Sequence, residues 1–136
     1  MKKSTLILFW AVRIIAAIIM VQTLFFKFTA APESVEIFTA VGAEPWGRIG
    51  VGVMELIASV LILLPATVWL GAILAFGLMG GAIMMHLMLL GIEVQGDGGY
   101  LFFLALTVAV CSALAFWLSR KNIPASIGKF LPAFLK

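Results

Sequence analysis

The chain has 136 residues, of which 64% are hydrophobic and 11% are charged, and its formal net charge is +3. Soluble domains average about 45–50% apolar and about 25% charged residues, so this composition indicates an integral membrane protein and excludes a separate soluble domain. The basic residues lie beside apolar segments, where membrane topology explains them, and we expect no nucleic-acid binding.

The first predicted span covers residues 5–28 and follows Lys2 and Lys3. A secretory signal peptide also begins with lysines, but its apolar core has about 7–15 residues, and residues 29–32 are a poor cleavage site. We therefore expect this segment to stay in the protein as a transmembrane helix. A polar connector, residues 32–45, follows, and Pro32 with Glu33 favours the start of a short interfacial helix there.

Three further spans are predicted, followed by a basic tail. Pro45 and Trp46 mark the start of the second span, and Pro65 separates it from the third by a tight turn. The third span contains Gly77 and Gly81, a spacing that lets helices approach closely, either within the bundle or between copies of the chain. The spans cover residues 46–64, 66–90 and 100–119, and the interfacial tail covers residues 120–136. The prediction is one all-α membrane domain, 1–136, built as a four-helix bundle.

Charge asymmetry predicts the orientation of the bundle. Four spans put both termini on one side, and the basic residues of that side have no acidic residue among them. The opposite side carries Lys27 and Arg48 together with five acidic residues. Since cytoplasmic loops are enriched in Lys and Arg, both termini are expected in the cytoplasm.

Arg13 and Glu55 are charged residues inside predicted spans. An ionised side chain at the centre of a bilayer costs at least about 2.5 to 3.5 kcal/mol, so such residues usually pair or face a protected cavity. At about 1.5 Å per residue, Arg13 lies about 12 Å above the inner start of its span and Glu55 about 14 Å below the outer start of its own. We therefore expect the two to pair, either as a structural salt bridge or as part of a ligand-facing or proton-handling site.

Lys27, Arg48 and His86 are predicted nearer the outer surface, above Glu55. Lys27 and Arg48 suit anchors whose charged ends reach the interface, and His86 suits either a packed histidine or a ligand-facing one. These residues with Arg13 and Glu55 would form a polar pocket or seam around Glu55. No catalytic motif is present. Cys111 has no second cysteine with which to form a disulfide, and with His86 it supplies too few ligands for an ordinary metal site.

Several of these features together resemble the DoxX family of small bacterial membrane proteins. They are Arg13, residues 25–28 (FFKF), residues 38–42 (FTAVG), Glu55 between Met54 and Leu56, residues 61–65 (LILLP), and His86. The resemblance covers about residues 5–118. It implies a four-helix bundle in the bacterial inner membrane. The family takes its name from a subunit of a thiosulfate:quinone oxidoreductase, and distant eukaryotic relatives act as receptor-assembly chaperones or cargo receptors.

Three functions are consistent with this sequence. The first is a non-catalytic accessory, assembly or partner-binding subunit that contacts membrane lipid and other membrane proteins, including a second copy in a homodimer. The second is a quinone-linked redox subunit in which Glu55 or His86 contacts a quinol head group, although the absence of a cysteine pair weakens a direct redox role. The third is an oligomeric transporter of a small solute or proton with Glu55 as its coupling residue.

Overall fold

The computed structural model describes residues 1–94 and 96–135, and every regular element in those residues is helical. Four long helices are joined by a short helix, a turn and a loop, and a tail follows the last of them. The elements are α1 (Lys3–Phe28), α2 (Pro32–Ala40), α3 (Trp46–Leu63), α4 (Val68–Met85) with a π-helical turn (His86–Leu90), α5 (Tyr100–Ser119) with a 3₁₀ turn (Arg120–Asn122), α6 (Ala125–Gly128) and a last 3₁₀ turn (Ala133–Leu135).

The predicted all-α bundle with four spans is confirmed. The four long helices, counted with the turns that extend α4 and α5, are each long and apolar enough to cross a membrane. The predicted short helix after the first span is α2, and it begins at Pro32 with Glu33 in its first turn. Acidic residues in the first turn of a helix interact favourably with the helix dipole.

Local sequence explains where the long helices end. Leu64 leaves α3 with an extended backbone (φ −84°, ψ 128°), as expected for a residue that precedes a proline. The Thr67 hydroxyl then donates to the carbonyl of Leu61 across the turn at 2.9 Å. The π-helical turn of α4 ends at Gly91, and α5 begins after Gly99, and both glycines have a positive φ (79° and 88°) that other residues rarely adopt.

The helices pack in a ring in the order α1, α3, α4, α5, with α5 closing on α1. The core is built from small and medium side chains; its fully buried members are Ala16, Ala58, Ile62, Val68, Ala72, Ala75, Val108 and Ala115. Gly71 marks a very close approach of α4 to α3, because a Cβ there would collide with the backbone nitrogen of Ile62 and lie 2.8 Å from the carbonyl carbon of Leu61. Small residues of this kind let helix backbones approach closely in membranes.

The bundle has two ends. The connector end carries α2 and the π-helical turn, and the terminal end carries the start of α1, the α3–α4 turn and the end of α5. α1 and α3 are antiparallel: Arg13 contacts the last turn of α3, and Lys27 contacts Glu55 and Arg48 nearer its start. Between the two ends the outward surface is apolar, which suits contact with lipid.

Candidate functional site

Glu55 pairs with Lys27 on the face between α1 and α3. The Nζ of Lys27 lies 3.0 Å from Oε1 of Glu55, and the exposed fractions of the two side chains are 15% and 3%. The Thr23 hydroxyl lies 3.0 Å from Oε2 of Glu55 and 2.8 Å from the carbonyl of Met20. Both carboxylate oxygens therefore have partners from α1, and the single hydroxyl proton of Thr23 is donated to only one of its two acceptors at a time.

Arg48 extends this polar group towards the connector end. Its Nε lies 2.9 and 3.0 Å from the two carboxylate oxygens of Glu44, its Nη2 lies 2.9 Å from Oε1 of Glu44, and its Nη1 donates to the carbonyl of Lys27. One guanidinium thus joins the connector, the start of α3 and the end of α1. We call Thr23, Lys27, Glu44, Arg48 and Glu55 the connector-end cluster.

The expected Arg13–Glu55 pair is wrong. The Nε and Nη2 of Arg13 donate to the carbonyls of Ile62 and Leu63, each at 2.8 Å, and its guanidinium carbon lies 3.9 Å from the ring centroid of Trp10. Arg13 is buried, with 2% of its surface exposed. Because the last carbonyls of a helix lack intrahelical partners, the arginine supplies donors that the α3–α4 turn needs.

The error arose in the depth estimate. That estimate assumed that each span starts at one edge of the hydrocarbon core, but α1 has 26 residues and α3 has 18. At about 1.5 Å per residue they are roughly 39 Å and 27 Å long, so their ends are not level. Ile62 follows Glu55 by seven residues, or roughly 10 Å along α3, which separates Arg13 from the carboxylate.

Lys27 and Arg48 were also expected to be interfacial anchors, and this interpretation is wrong. Lys27 turns inward to Glu55, and only 6% of Arg48 is exposed. Lys27 was also predicted to lie near Glu55, and the structure shows the two as an ion pair. Arg48 contacts Glu44 and the carbonyl of Lys27 instead. Sequence reasoning missed Thr23 and Glu44, although each lies four residues before a basic member of the cluster. Thr23 and Lys27 share one face of α1. Glu44 precedes the start of α3 and reaches Arg48 from the connector.

His86 lies outside the connector-end cluster. Its Nδ1 lies 3.0 Å from the carbonyl of Gly91, and its ring meets Phe102 edge to face, with centroids 5.6 Å apart. The ring is buried, with 5% exposed, and it has no hydrogen bond to Glu55, Lys27 or Arg48. In the described residues, no three His, Cys, Asp or Glu side chains are grouped so as to hold a metal ion.

Asp97 organises the loop between α4 and α5. Its carboxylate accepts hydrogen bonds from the backbone N–H groups of Val94 (3.0 Å), Gly99 (2.8 Å) and Leu101 (3.2 Å). Burial by itself raises the pKa of this carboxyl, but the three backbone donors and the nearby charge of His86 outweigh it and hold the pKa below its usual range. The ionised carboxylate therefore stabilises the start of α5.

Residues 11–115 match the model of the DoxX-like family. The chain belongs to the DoxX-like family. No curated protein and no solved structure gives a match. The matched segment of this DoxX-like chain contains the whole connector-end cluster as well as Arg13 and His86, and it ends before the basic tail. Family membership shows the kind of protein, a small multi-pass membrane protein, and does not by itself assign a function.

Glycines form an open face on α4 of this DoxX-like chain. Gly77, Gly80 and Gly81 are exposed, and a Cβ built on any of them meets no atom within 4 Å. Of the two roles proposed for Gly77 and Gly81, packing within the bundle is therefore wrong. Ile73 and Phe76 lie four residues before Gly77 and Gly80, so these side chains continue the same face. We call Ile73, Phe76, Gly77, Gly80 and Gly81 the α4 face.

A groove of about 300 Å³ adjoins the α4 face on its α5 side. It is lined by Ile73 and Phe76 of the α4 face together with Ala72, Ser112, Ala113 and Phe116. Ser112 is fully buried, and its hydroxyl has no hydrogen-bond partner among the described residues. A buried hydroxyl without a partner is unusual, so the floor of this groove holds an unused polar group.

Proposed function

We propose that this DoxX-like chain is a non-catalytic accessory, assembly or partner-binding subunit of the bacterial inner membrane, with both termini in the cytoplasm. The partner is a transmembrane helix of another membrane protein or of a second copy, and it docks on the α4 face. The orientation rests on the basic residues at the terminal end, since cytoplasmic segments are enriched in Lys and Arg.

The observation that carries the proposal is the α4 face together with its groove. Without hydrophobic attraction between helices, association in lipid relies on close van der Waals packing and hydrogen bonds between helices. Exposed glycines lower the surface of α4 so that a second backbone can approach, and exposed Ile73 and Phe76 flank the depression.

The connector-end cluster supports the same proposal. A quinol at Glu55, or a transported proton or solute, would need a carboxylate that is free to bind it. Both carboxylate oxygens of Glu55 instead lie against α1, one 3.0 Å from Nζ of Lys27 and the other 3.0 Å from the Thr23 hydroxyl, so a ligand there would have to displace one of these side chains. The cluster is better suited to holding α1 against α3 than to binding a ligand.

The test is recovery of partners from the native membrane in mild detergent. Tagged wild-type chain and the Gly77→Leu/Gly81→Leu variant are compared by quantitative mass spectrometry and by cross-linking, which also detects a second copy of the chain. Two leucines fill the open face and prevent close helix contact. We therefore expect the amount of partner recovered with the variant to be lower than with the wild type by at least about tenfold.

Gly50→Leu is the matched control. Gly50 is also exposed, also meets no atom within 4 Å of a Cβ, and lies on α3. This variant should retain the partner at the wild-type level. Recovery of the wild-type chain alone, under conditions that preserve known membrane complexes, would contradict the proposal, and so would equal recovery by the double-leucine variant.

A further inference from the structure

The tail folds into a basic hollow at the terminal end of the bundle. Its volume is about 420 Å³, and Arg120, Lys121 and Lys129 lie around it with the apolar side chains of Ile123 and Leu131. The hollow lies just beyond the end of α5, between the 3₁₀ turn (Arg120–Asn122) and the segment that contains α6. Basic and apolar groups therefore line one concave surface.

Among the residues that the structure describes, the positive charge of the hollow has no acidic partner. The sequence contains no Asp or Glu after Asp97, and no ion pair of the described residues involves these three cations. Among the described residues, Arg120 donates only from Nη1, to the carbonyl of Trp117 at 2.6 Å, and its buried Nε has no acceptor. The guanidinium lies over the Trp117 ring, 3.9 Å from its centroid, and this contact fixes its position.

Aromatic side chains put the hollow at the level of lipid head groups. Phe130 is 78% exposed and Phe134 is 72% exposed, and Trp117 lies on the last turn of α5. Aromatic residues at the end of a span typically lie at the membrane interface. A segment with exposed aromatic residues and cations but no acids is typical of one that lies on an anionic membrane surface.

We propose that the hollow binds the phosphate group of an anionic phospholipid. The phosphodiester would lie among the three cations, since guanidinium and ammonium groups are the usual phosphate partners in proteins. The first part of an acyl chain would then pass Ile123 and Leu131. A free phosphate ion shares the same charge chemistry, but it would leave these apolar side chains without a partner.

The experiment is native mass spectrometry of the full chain, delipidated in detergent and titrated with phosphatidylglycerol or with phosphatidylcholine of the same acyl chains. Phosphatidylglycerol should bind at least about tenfold more tightly. In Lys121→Gln/Lys129→Gln that preference should fall by about tenfold, because two of the three cations around the hollow are removed. Both lysines are exposed, so the variant should keep the wild-type helix content.

Lys2→Gln/Lys3→Gln is the control because it removes two exposed cations from the same end of the bundle, outside the hollow. It should bind phosphatidylglycerol as the wild type does. Equal loss in the control would show a diffuse charge effect and overturn the proposal, as would equal binding of the two lipids. Displacement of the lipid by millimolar inorganic phosphate would overturn it in favour of a free-anion site, whereas failure to displace it supports the lipid.

Discussion

At the residue scale, the buried charges of this DoxX-like chain act as links between helices. Lys27 crosses from α1 to Glu55 on α3, and Arg13 crosses from α1 to the end of the same helix. The two cations therefore join α1 to α3 at two levels. Arg48 adds a third link at the connector end. Since charges in lipid are costly, each of these side chains constrains how α1 and α3 pack.

A double-mutant cycle measures the Lys27–Glu55 link. Lys27→Met should destabilise the bundle by about 3 kcal/mol, because removing one partner leaves a buried carboxylate unpaired. Glu55→Leu should cost a similar amount, whereas the double variant should recover much of the loss, since it leaves neither charge of this pair without its partner. The free energy of unfolding is measured by denaturant titration in mixed micelles. Losses that simply add in the double variant would contradict the pairing.

Asp97 should make stability depend on pH. Its carboxyl pKa is lowered in the folded chain, so its contribution is complete above the unfolded pKa of about 3.9 and is lost as the pH falls through the lower, folded value. We therefore expect Asp97→Asn to melt at a lower temperature than the wild type at pH 7, with the gap closing on acidification below about pH 4.

Melting temperatures of both proteins in nonionic detergent, from pH 7 to pH 2.5, check this expectation. The comparison cancels the titration of the other acidic residues, which both proteins share. Glu93→Gln serves as a control in the same loop, because Glu93 accepts one long backbone hydrogen bond, 3.3 Å from Gly98. A difference in melting temperature between Asp97→Asn and the wild type that stays constant over this pH range would contradict the role of the ionised Asp97 carboxylate at the start of α5.

At the element scale, glycines on α4 have opposite roles along one helix. Gly71 lets the start of α4 lie against the end of α3, next to the carbonyls that Arg13 binds. Gly77, Gly80 and Gly81 lie further along α4, and a Cβ built on any of them meets no atom of a neighbouring helix within 4 Å. The same residue type therefore closes the bundle at one end of α4 and leaves an open surface in its middle.

Alanine substitutions separate these two roles. Gly71→Ala should destabilise the bundle by about 1 to 3 kcal/mol, because its Cβ collides with the α3 backbone, which cannot move aside as a flexible side chain would. Gly80→Ala should instead stabilise the chain by about 0.5 to 1 kcal/mol, since its Cβ has open space and alanine costs less backbone entropy in a helix. Unfolding in mixed micelles measures both, and effects of the same sign would contradict the assignment.

At the scale of the whole molecule, the ring of four helices has a packed interior and two exposed surfaces, the α4 face and the basic hollow. Small residues pack in the interior, and Arg13, Lys27 and Arg48 link α1 to α3. The α4 face is apolar and lies within the span, and the basic hollow lies at its end. The first suits a helix in the membrane, and the second suits a lipid head group at its surface. The two proposals therefore concern separate sites and are tested by separate variants.

Sequence reasoning succeeded for the helices and for the need of the charged residues to have partners. The spans, the proline turn at Pro65 and the connector helix follow from local composition and from transfer free energies, which involve only nearby residues. The predicted polar seam also put Lys27 near Glu55, and the two form an ion pair. Sequence reasoning gave the wrong partner for Arg13. The relative depth of two helices depends on the lengths and tilts of both, which cannot be read from either span alone.

The sequence alone therefore determined that this is a four-span membrane protein in which Arg13 and Glu55 need buried partners. The physical reason is local: apolar length sets the spans, and charge in lipid is costly wherever it occurs. Only the tertiary structure decided that Lys27 pairs with Glu55, that Arg13 binds the end of α3, and which glycines of α4 face outward. Those outcomes depend on the vertical offset and rotation of each helix against its neighbours, which are set by packing around the whole ring.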